Sequence, residues 1–522
     1  MKELIYHRHF IPAIKRHKQK LAVVDGDYRA SFEQHADRVF RLTHALQLHF
    51  GLSCQDRFAV LARNSHAYLE LYHAAFLGGG VINPLNLRLS AKELDYIIRD
   101  SGAEVIFVDR HFTDMLATAR QTSADWPIRK TVIIGEGEAP HDIGYEALLV
   151  SAQPTIPDEP EEGDTAILMY TGGTTGLPKG VVLTQRAKIL NMYHGRVTRP
   201  MLNEDTVALI QTPMFHAAST GTLLATCIVG GTTVMVPAFE PELVLSEIER
   251  NKVTSTLMVP TMIGMMMSHP AFSPERIRSL EHLTYGASPM PAALLEKLFA
   301  AAPHINLYQG YGMTESSASV SNLSPEDHRK GGKRLRSVGR PVLGVEVSVQ
   351  DEAGNVLAPG EIGEVCARGG NFMTGYWNKP EATEEAFRGG WYHTGDAGYL
   401  DEDGYLFLVD RVKDMIISGG ENIYSVEVEN AIASHPAVAQ VAVIGIPDET
   451  WGEAVHAVVV LNDGAEPSEA DIIAHARQSI AGYKVPRSVD FRRDPLPLSG
   501  AMKVLKRDLR APYWEGQERS IS

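Results

Sequence analysis

T-G-G-T-T-G-L-P-K-G, residues Thr171–Gly180, decides how this chain is read. Ahead of it, Ala166–Tyr170 (A-I-L-M-Y) is a short apolar run of strand type. Behind it, Val181-Val182-Leu183 is another, closed by Thr184. The spacing predicts a strand, a tight loop and a strand-like exit. Gly172 and Gly173 let backbone N–H groups converge, Thr171, Thr174 and Thr175 add hydroxyls, and Lys179 adds a point charge. Pro178 fixes φ just before that lysine. A P-loop ending in Gly-Lys-Ser/Thr is excluded, because Pro178 precedes Lys179 and Gly180 follows it. Two readings stand at this point: an anion cradle, and a plain surface turn between two core strands.

Working outward, 522 residues suggest two to four domains. Hydrophobic content of 44% and charged content of 22% suit a globular protein with a large core. A net charge of -15 argues against nucleic acid or an anionic membrane as the main partner, so any phosphate site has to be built locally. Cys54, Cys227 and Cys366 are isolated, with no C-x-x-C, which points to a reducing, cytoplasmic setting. The first ten residues carry no continuous apolar h-region of secretory type. Val207–Phe239 lacks charged residues, but prolines, glycines and His216 interrupt it, so it reads as core and not as a membrane span. Peripheral membrane contact stays open.

The fold class is read from alternation. His35–Leu48, Tyr68–Leu77 and Leu89–Ser101 have helical periodicity, the last with a Ser90/Glu93 capping box. Phe58–Leu61, Val81–Asn83 and Val105–Val108 between them read as strands. This predicts an α/β protein: a large N-terminal domain of layered α/β subdomains with largely parallel sheets. Ser151–Asp164 reads as a linker or surface loop, and Gly398–Leu408 as a hairpin with an Asp-Gly turn. Beyond it, Ser425–Ala433 and Asp471–Ile480 are expected helices, and Val441–Gly445 and Val455–Val460 expected strands, of a small α+β domain.

The ten-residue loop resembles the phosphate loop of the adenylate-forming superfamily, which holds acyl-CoA synthetases, luciferases and peptide-synthetase adenylation domains. Later motifs, in the same order, support that resemblance. Gly286-Ala287 ends an apolar strand, and Gln309-Gly310-Tyr311-Gly312-Met313-Thr314-Glu315 resembles Y-G-x-T-E. Two glycines around an aromatic allow close ligand approach, and a hydroxyl with a carboxylate suits phosphate and Mg²⁺. The resemblance implies Tyr311 against adenine, Thr314 near the α-phosphate and Glu315 as the metal ligand. Trp391–Asp396 (W-Y-H-T-G-D) implies Asp396 on the ribose hydroxyls. Asp410–Asn422 (D-R-V-K-D-M-I-I-S-G-G-E-N) implies Arg411 on the ribose and Lys413 as a hinge. Asp410 stands where the family usually has Gly, and Ser425 where many members have Pro. Leu498–Arg507 places Lys503 on the adenylation lysine, with Met502 replacing the usual glycine. Trp451 and Lys484 resemble positions beside the coenzyme A nucleotide, where stacking and a cation have a physical use. His216 is either a satisfied turn residue or, by the resemblance, part of the wall between acyl site and thiol entry. Met262, Met265, Met266 and Met267 suit either core packing or an adaptable apolar pocket.

The resemblance therefore implies residues 1–411 as an AMP-binding domain and 412–522 as a mobile C-terminal domain turning about Lys413. It implies ATP, Mg²⁺ and coenzyme A as cofactors, and a small carboxylic acid as substrate. Lys503, Thr314, Glu315 and His216 would serve the chemistry, and the turn Ser418-Gly419-Gly420 would line the pantetheine channel. The D-R-x-K-D-M-I-I-S-G-G-E-N run looks most like bacterial fatty-acyl-CoA synthetases and their aryl-CoA relatives, and a medium- or long-chain acid is expected slightly ahead of an aryl acid. A stand-alone domain loading a carrier protein, a non-catalytic nucleotide or acyl-adenylate sensor, and a homodimer remain alternatives.

Overall fold

The structure is a computed structural model that describes residues 2–136, 142–171, 177–288, 290–411, 414–419, 421–448, 450–499 and 504–515, with backbone only at 410, 411 and 422. The chain divides into two compact units and passes between them repeatedly. The first holds Met1–Leu335, Gly339–Glu346 and Arg368–Glu385; the second holds Arg336–Val338, Val347–Ala367 and Ala386–Ser522. Among the described residues, no helix is long and apolar enough to cross a membrane.

The first unit carries two sheets with parallel central strands; both edges of one are antiparallel, while the other has one antiparallel edge and one parallel edge, Ile143–Gly144. In one, Val81–Pro84, Arg57–Leu61, Val105–Asp109 and Lys130–Ile134 run parallel beside the Thr165–Thr171 strand, which then pairs antiparallel with Lys179–Thr184. In the other, Thr232–Met235, Val207–Ile210, Ser255–Met258, His282–Gly286 and Asn306–Tyr311 are parallel neighbours. Their near-continuous apolar runs follow from helices covering both faces. The Ala91–Ser101 helix shows how this works. Ser90 accepts from the Glu93 N–H while the Glu93 carboxylate accepts from Ser90, and Gly102 at φ 65 ends the helix. Leu94, Ile97 and Ile98 then pack on Ala59, Ile106 and Val108. Full burial of each such side chain contributes about 1.5–3 kcal/mol.

One helix differs from expectation. His66–Ala74 is α-helical, but Ala75–Gly79 widens into a π turn, with Gly78 at φ 93 and Gly80 at φ 132. A Cβ on Gly80 would stand 2.9 Å from the Asp56 carbonyl oxygen, so the triple glycine drops the chain directly into the next strand. The expected buried helix between the Val207 and Thr232 strands is Ala217–Ile228.

In the second unit, Gly363–Gly369, Tyr392–Leu400 and Leu406–Arg411 form an antiparallel sheet whose hairpin turn has Gly404 at φ 77. Val438–Asp448 and Gly452–Leu461 form a long hairpin, joined by Ile416–Ser418, Glu421–Ile423 and Ser488–Arg492. Both faces of that hairpin are covered. Val443, Val455, Ala457 and Val459 meet the Ser425–Ala433 and Glu469–Arg477 helices. On the other face Ala442, Ile444 and Val458 meet Leu496 and Leu509. This is the small α+β body expected from the sequence.

Candidate active site

The neck of the glycine/threonine loop is a hairpin in which Thr171 lies opposite Lys179, so the chain enters and leaves at one point. Gly172, Gly173, Thr174 and Thr175 lie outside the described residues. A Cβ on Gly180 would stand 2.9 Å from Leu168 Cδ1 and 3.2 Å from Trp377 Cβ, so glycine is what lets the strands close there. The outer edge of the hairpin is stitched by a two-residue strand, Gly375–Tyr376. Lys179 Nζ lies 5.0 Å from the Tyr376 ring centroid, and the Tyr376 hydroxyl donates to Glu315 Oε1 at 3.1 Å. The Met373 N–H donates to the Glu315 carbonyl at 2.7 Å, and Trp377 N–H to the Gly180 carbonyl at 2.7 Å. Residues 373–377 thus bring the loop lysine and the Thr314–Glu315 segment to one place.

Gly286 and Gly310 face each other at the ends of parallel strands. A Cβ on Gly286 would stand 2.3 Å from the Gly310 carbonyl oxygen, and Ala287 follows in the left-handed region at φ 69. The chain after Tyr311 is equally tight. A Cβ on Gly312 would meet the Ala318 carbonyl oxygen at 2.4 Å, and Ser317 and Ala318 have φ of 54 and 94. Asn371 holds this loop by donating to the Ser316 and Ser319 carbonyls at 2.8 and 2.9 Å. Gln309 is buried on the other side of its strand, where the Tyr285 hydroxyl lies 3.4 Å from its Oε1.

His216 is the N-cap residue of the Ala217–Ile228 helix, and its ring packs on Phe215 at 4.6 Å. The turn before it is held from a distance. Asn64 donates to the Thr212 carbonyl and accepts from the Met214 N–H, and the Tyr72 hydroxyl donates to the Met214 carbonyl. Met262 and Met266 are buried while Met265 is exposed, so the methionine run is a core stripe with one outward face.

Three residues that sequence reasoning passed over matter here. Tyr376 and Asn371 sit in G-G-N-F-M-T-G-Y-W, whose glycines and aromatics were a visible signal. Lys188, on the Gln185–Thr198 helix, is fully buried. Its Nζ donates to Thr220 Oγ1 at 2.7 Å and reaches the Ser317 carbonyl at 3.5 Å. Burial pushes this amine down to about 7.

The other candidates belong to the second unit. Asp396 lies opposite Arg411 on adjacent strands. Beneath it, Glu364 accepts from the Gly395 N–H at 3.1 Å and pairs with Arg388 and His393 at 2.7 and 2.8 Å. Ser418 is buried, and Gly419, at φ 62, lies under Trp451: a Cβ there would stand 2.5 Å from Trp451 Cε3. The Arg487 guanidinium covers the same indole at 4.7 Å. Lys484 is held by Glu427 at 2.7 Å, and Lys506 by Glu429 at 2.6 Å and Ser425 Oγ at 2.6 Å. Lys413, Gly420 and Lys503 lie outside the described residues. The stretch holding Lys503 is flanked by a bridge between Leu498 and Val504.

A family model described as AMP-binding enzyme matches residues 10–377, and one described as AMP-binding enzyme C-terminal domain matches residues 427–503. The chain is 40% identical to a feruloyl-CoA synthase of Amycolatopsis sp, covering 94% of this chain and 96% of that one. It is 35% identical to a medium/long-chain-fatty-acid–CoA ligase of Mycobacterium tuberculosis, covering 98% and 90%. A solved structure of O-succinylbenzoate coenzyme A synthetase from Bacillus subtilis, in complex with ATP and magnesium ion, matches with a TM-score of 0.83 at 30% identity, covering 96% and 98%.

Proposed function

The chain belongs to the AMP-binding enzyme family, and from that premise, as an ATP-dependent, AMP-forming acid–thiol ligase, we propose that it converts an aryl carboxylic acid to its acyl-AMP and transfers the acyl group to coenzyme A. The observation that carries this reading is Tyr376, which ties Lys179 of the loop neck to Glu315 of the Thr-Glu segment.

A carboxylate approaching an anionic phosphate meets like-charge repulsion, so the site has to hold cations and donors around the phosphate in advance. Lys179 supplies a fixed positive charge, and the loop supplies N–H groups and hydroxyls. The all-oxygen donor set of Glu315 and Thr314 fits a hard cation, and Mg²⁺ bound there would neutralise phosphate charge. Tyr376 keeps the Glu315 carboxylate oriented for that role. Lys503 would bind the developing negative charge in the first half-reaction. Turning about Lys413 would then present the Gly419–Trp451 face to the thiol. Trp451, exposed and held in place by Gly419 and Arg487, would offer its indole to the coenzyme A nucleotide, with the Arg487 cation beside it.

The aryl class is placed first on the strength of the 40% relative. The second reading, a medium- or long-chain fatty acid, has the 35% relative in its favour. The deciding experiment is pyrophosphate release with ATP and Mg²⁺ across aryl and aliphatic acids, each with and without coenzyme A. Sustained turnover with aryl acids only when coenzyme A is present is the expected result. Turnover indifferent to coenzyme A would move the acceptor to a carrier protein, and ATP binding without release from any acid would favour a sensor.

A further inference from the structure

A second group of polar side chains lies under the Trp391–Asp396 turn, and its chemistry differs from that of the phosphate side. Cys366 and His393 are cross-strand partners on the Gly363–Gly369 and Tyr392–Leu400 strands. Beyond that pair the register slips. Glu364 lies opposite Ala397, so the second strand carries extra residues and bulges around Gly395, at φ 70. The Glu364 carboxylate sits beneath the bulge and reaches His393. Cys366 Sγ lies 3.4 Å from His393 Nδ1, and Glu364 Oε2 lies 2.8 Å from the same nitrogen. A sulfur, a ring nitrogen and a carboxylate oxygen thus lie within 4.8 Å of one another. Cys366 is fully buried, and the side chains of His393 and Glu364 are 8% and 21% exposed.

The imidazole is placed between two acceptors. Its Nδ1 faces the Glu364 carboxylate, and its Nε2 faces the Arg388 carbonyl oxygen at 3.2 Å. A neutral imidazole has one N–H and one lone pair, so it leaves one of these oxygens facing a lone pair. Either a second ring proton or a cation on the Nδ1 side removes that clash. With Nε2–H donating to the backbone carbonyl, Nδ1 presents its lone pair towards the carboxylate and the sulfur. Metal-binding histidines are held in this way, the other ring nitrogen donating to a carbonyl or carboxylate.

In a tetrahedral zinc site, bonds of about 2.3 Å to sulfur and about 2.0–2.2 Å to nitrogen and oxygen set neighbouring ligand atoms about 3.3–3.6 Å apart. The sulfur–nitrogen pair already has that spacing, and the carboxylate has to back away by about half an ångström. The charges close as well. A thiolate and a carboxylate neutralise one divalent ion, and the thiol proton leaves to solvent. Arg388, whose side chain is 46% exposed, lets go of Glu364 and leaves the fourth position to water. Mg²⁺ is a hard ion that takes oxygen ligands, so it does not suit sulfur and imidazole.

We propose that Glu364, Cys366 and His393 form a binding site for a single thiophilic divalent cation of the zinc class. Glu364 also accepts from the Gly395 N–H at 3.1 Å, so the ion shares a ligand with the turn that carries Asp396. Loading therefore weakens AMP binding. This coupling rests on the ligase reading, through the ribose contact expected of Asp396; the site itself does not.

Titrating the full chain with Co²⁺, in buffer free of thiols, tests the site. A thiolate bound to cobalt gives a near-ultraviolet charge-transfer absorption. The expected result is that absorption with a single Co²⁺ per chain, displaced by Zn²⁺ and untouched by Mg²⁺. It should persist in the double variant Cys54→Ser, Cys227→Ala, and cobalt affinity should fall at least about tenfold in Cys366→Ala and in His393→Gln. No thiolate absorption in the unaltered protein would overturn the site, and so would absorption lost in the folded double variant. Neither result depends on a substituted cluster folding. The coupling is read with AMP, which holds metal ions more weakly than ATP: its affinity should fall at least about fivefold on loading with Zn²⁺. An unchanged AMP affinity beside a filled site would overturn the coupling alone. Failure to bind AMP at all would overturn the coupling together with the ligase reading, while the cobalt result still decides the site.

Discussion

Replacing Lys188 with methionine should make the protein more stable, by an amount that depends on pH in a calculable way. The ordinary pKa of a lysine is 10.5, and burial holds this one at about 7. Below pH 7 the amine is charged in both the folded and unfolded chain, and the folded chain bears the full cost of the buried charge. At about 1.36 kcal/mol per pH unit, that cost is about 5 kcal/mol. Between pH 7 and 10.5 the unfolded chain binds the proton and the folded chain does not, so stability rises with pH and the cost shrinks. At pH 8 about 3 kcal/mol remains. Methionine has similar length and no charge to bury, so it removes this term. It also removes the bond to Thr220, worth about 1 kcal/mol, although Thr220 keeps its own bond to the Ala217 carbonyl. The net gain is therefore about 4 kcal/mol at pH 7 and about 2 kcal/mol at pH 8, vanishing near pH 10. Urea denaturation of both proteins at pH 7, 8, 9 and 10 measures it, because other titrating groups cancel in the difference. A variant less stable than the parent at pH 7, or a difference that does not change with pH, would refute the reasoning.

Tyr376→Phe removes only the hydroxyl on Glu315, and a hydrogen bond to a charged group contributes about 1.5–3 kcal/mol. A loss of roughly ten- to hundredfold in kcat/KM for pyrophosphate release is expected, with folding stability lowered by no more than that same amount; an unaltered rate at limiting Mg²⁺ would remove Tyr376 from the site. Lys503→Ala should abolish acyl-AMP formation while a supplied acyl-AMP still reacts with coenzyme A, and equal loss in both half-reactions would contradict the two-pose cycle. His35 and His73, in contact at 2.8 Å and fully buried, are kept neutral: burial pushes His35 down to about 3 and His73 well down. The unfolded chain takes up protons below about pH 6.5 that the folded chain refuses, so stability should fall by up to about 3 kcal/mol per pH unit on acidification. The double variant His35→Leu, His73→Leu should flatten that acid limb in urea titrations from pH 7 to 4.5, and an unchanged limb would assign it elsewhere.

What could be read from sequence was local. The Ser90/Glu93 cap, the strands around Thr171–Gly180 and the helix at Ser425–Ala433 depend on neighbours a few residues away, and each appears where its pattern puts it. The width of the turn at Gly78–Gly80 was not legible, because it is set by the Asp56 carbonyl, more than twenty residues earlier. Tyr376 stayed hidden for the same reason, since both of its partners come from distant segments. Lys188 in R-A-K-I-L looks like any solvated helical lysine. Only the packing of Thr220 and Ser317 against it shows that it is interior.

The boundaries of the second unit bear on how hybrids of such enzymes are made. That unit draws on Arg336–Val338 and Val347–Ala367 as well as the long terminal stretch, and the Val338 N–H bonds the Leu406 carbonyl at 2.8 Å. A parent spliced to another at a single point near residue 411 would inherit a mosaic: one sheet from the donor of the front, another from the donor of the back. The transferable module is three stretches of sequence, and a breeder who moves only the last of them is also redesigning its packing.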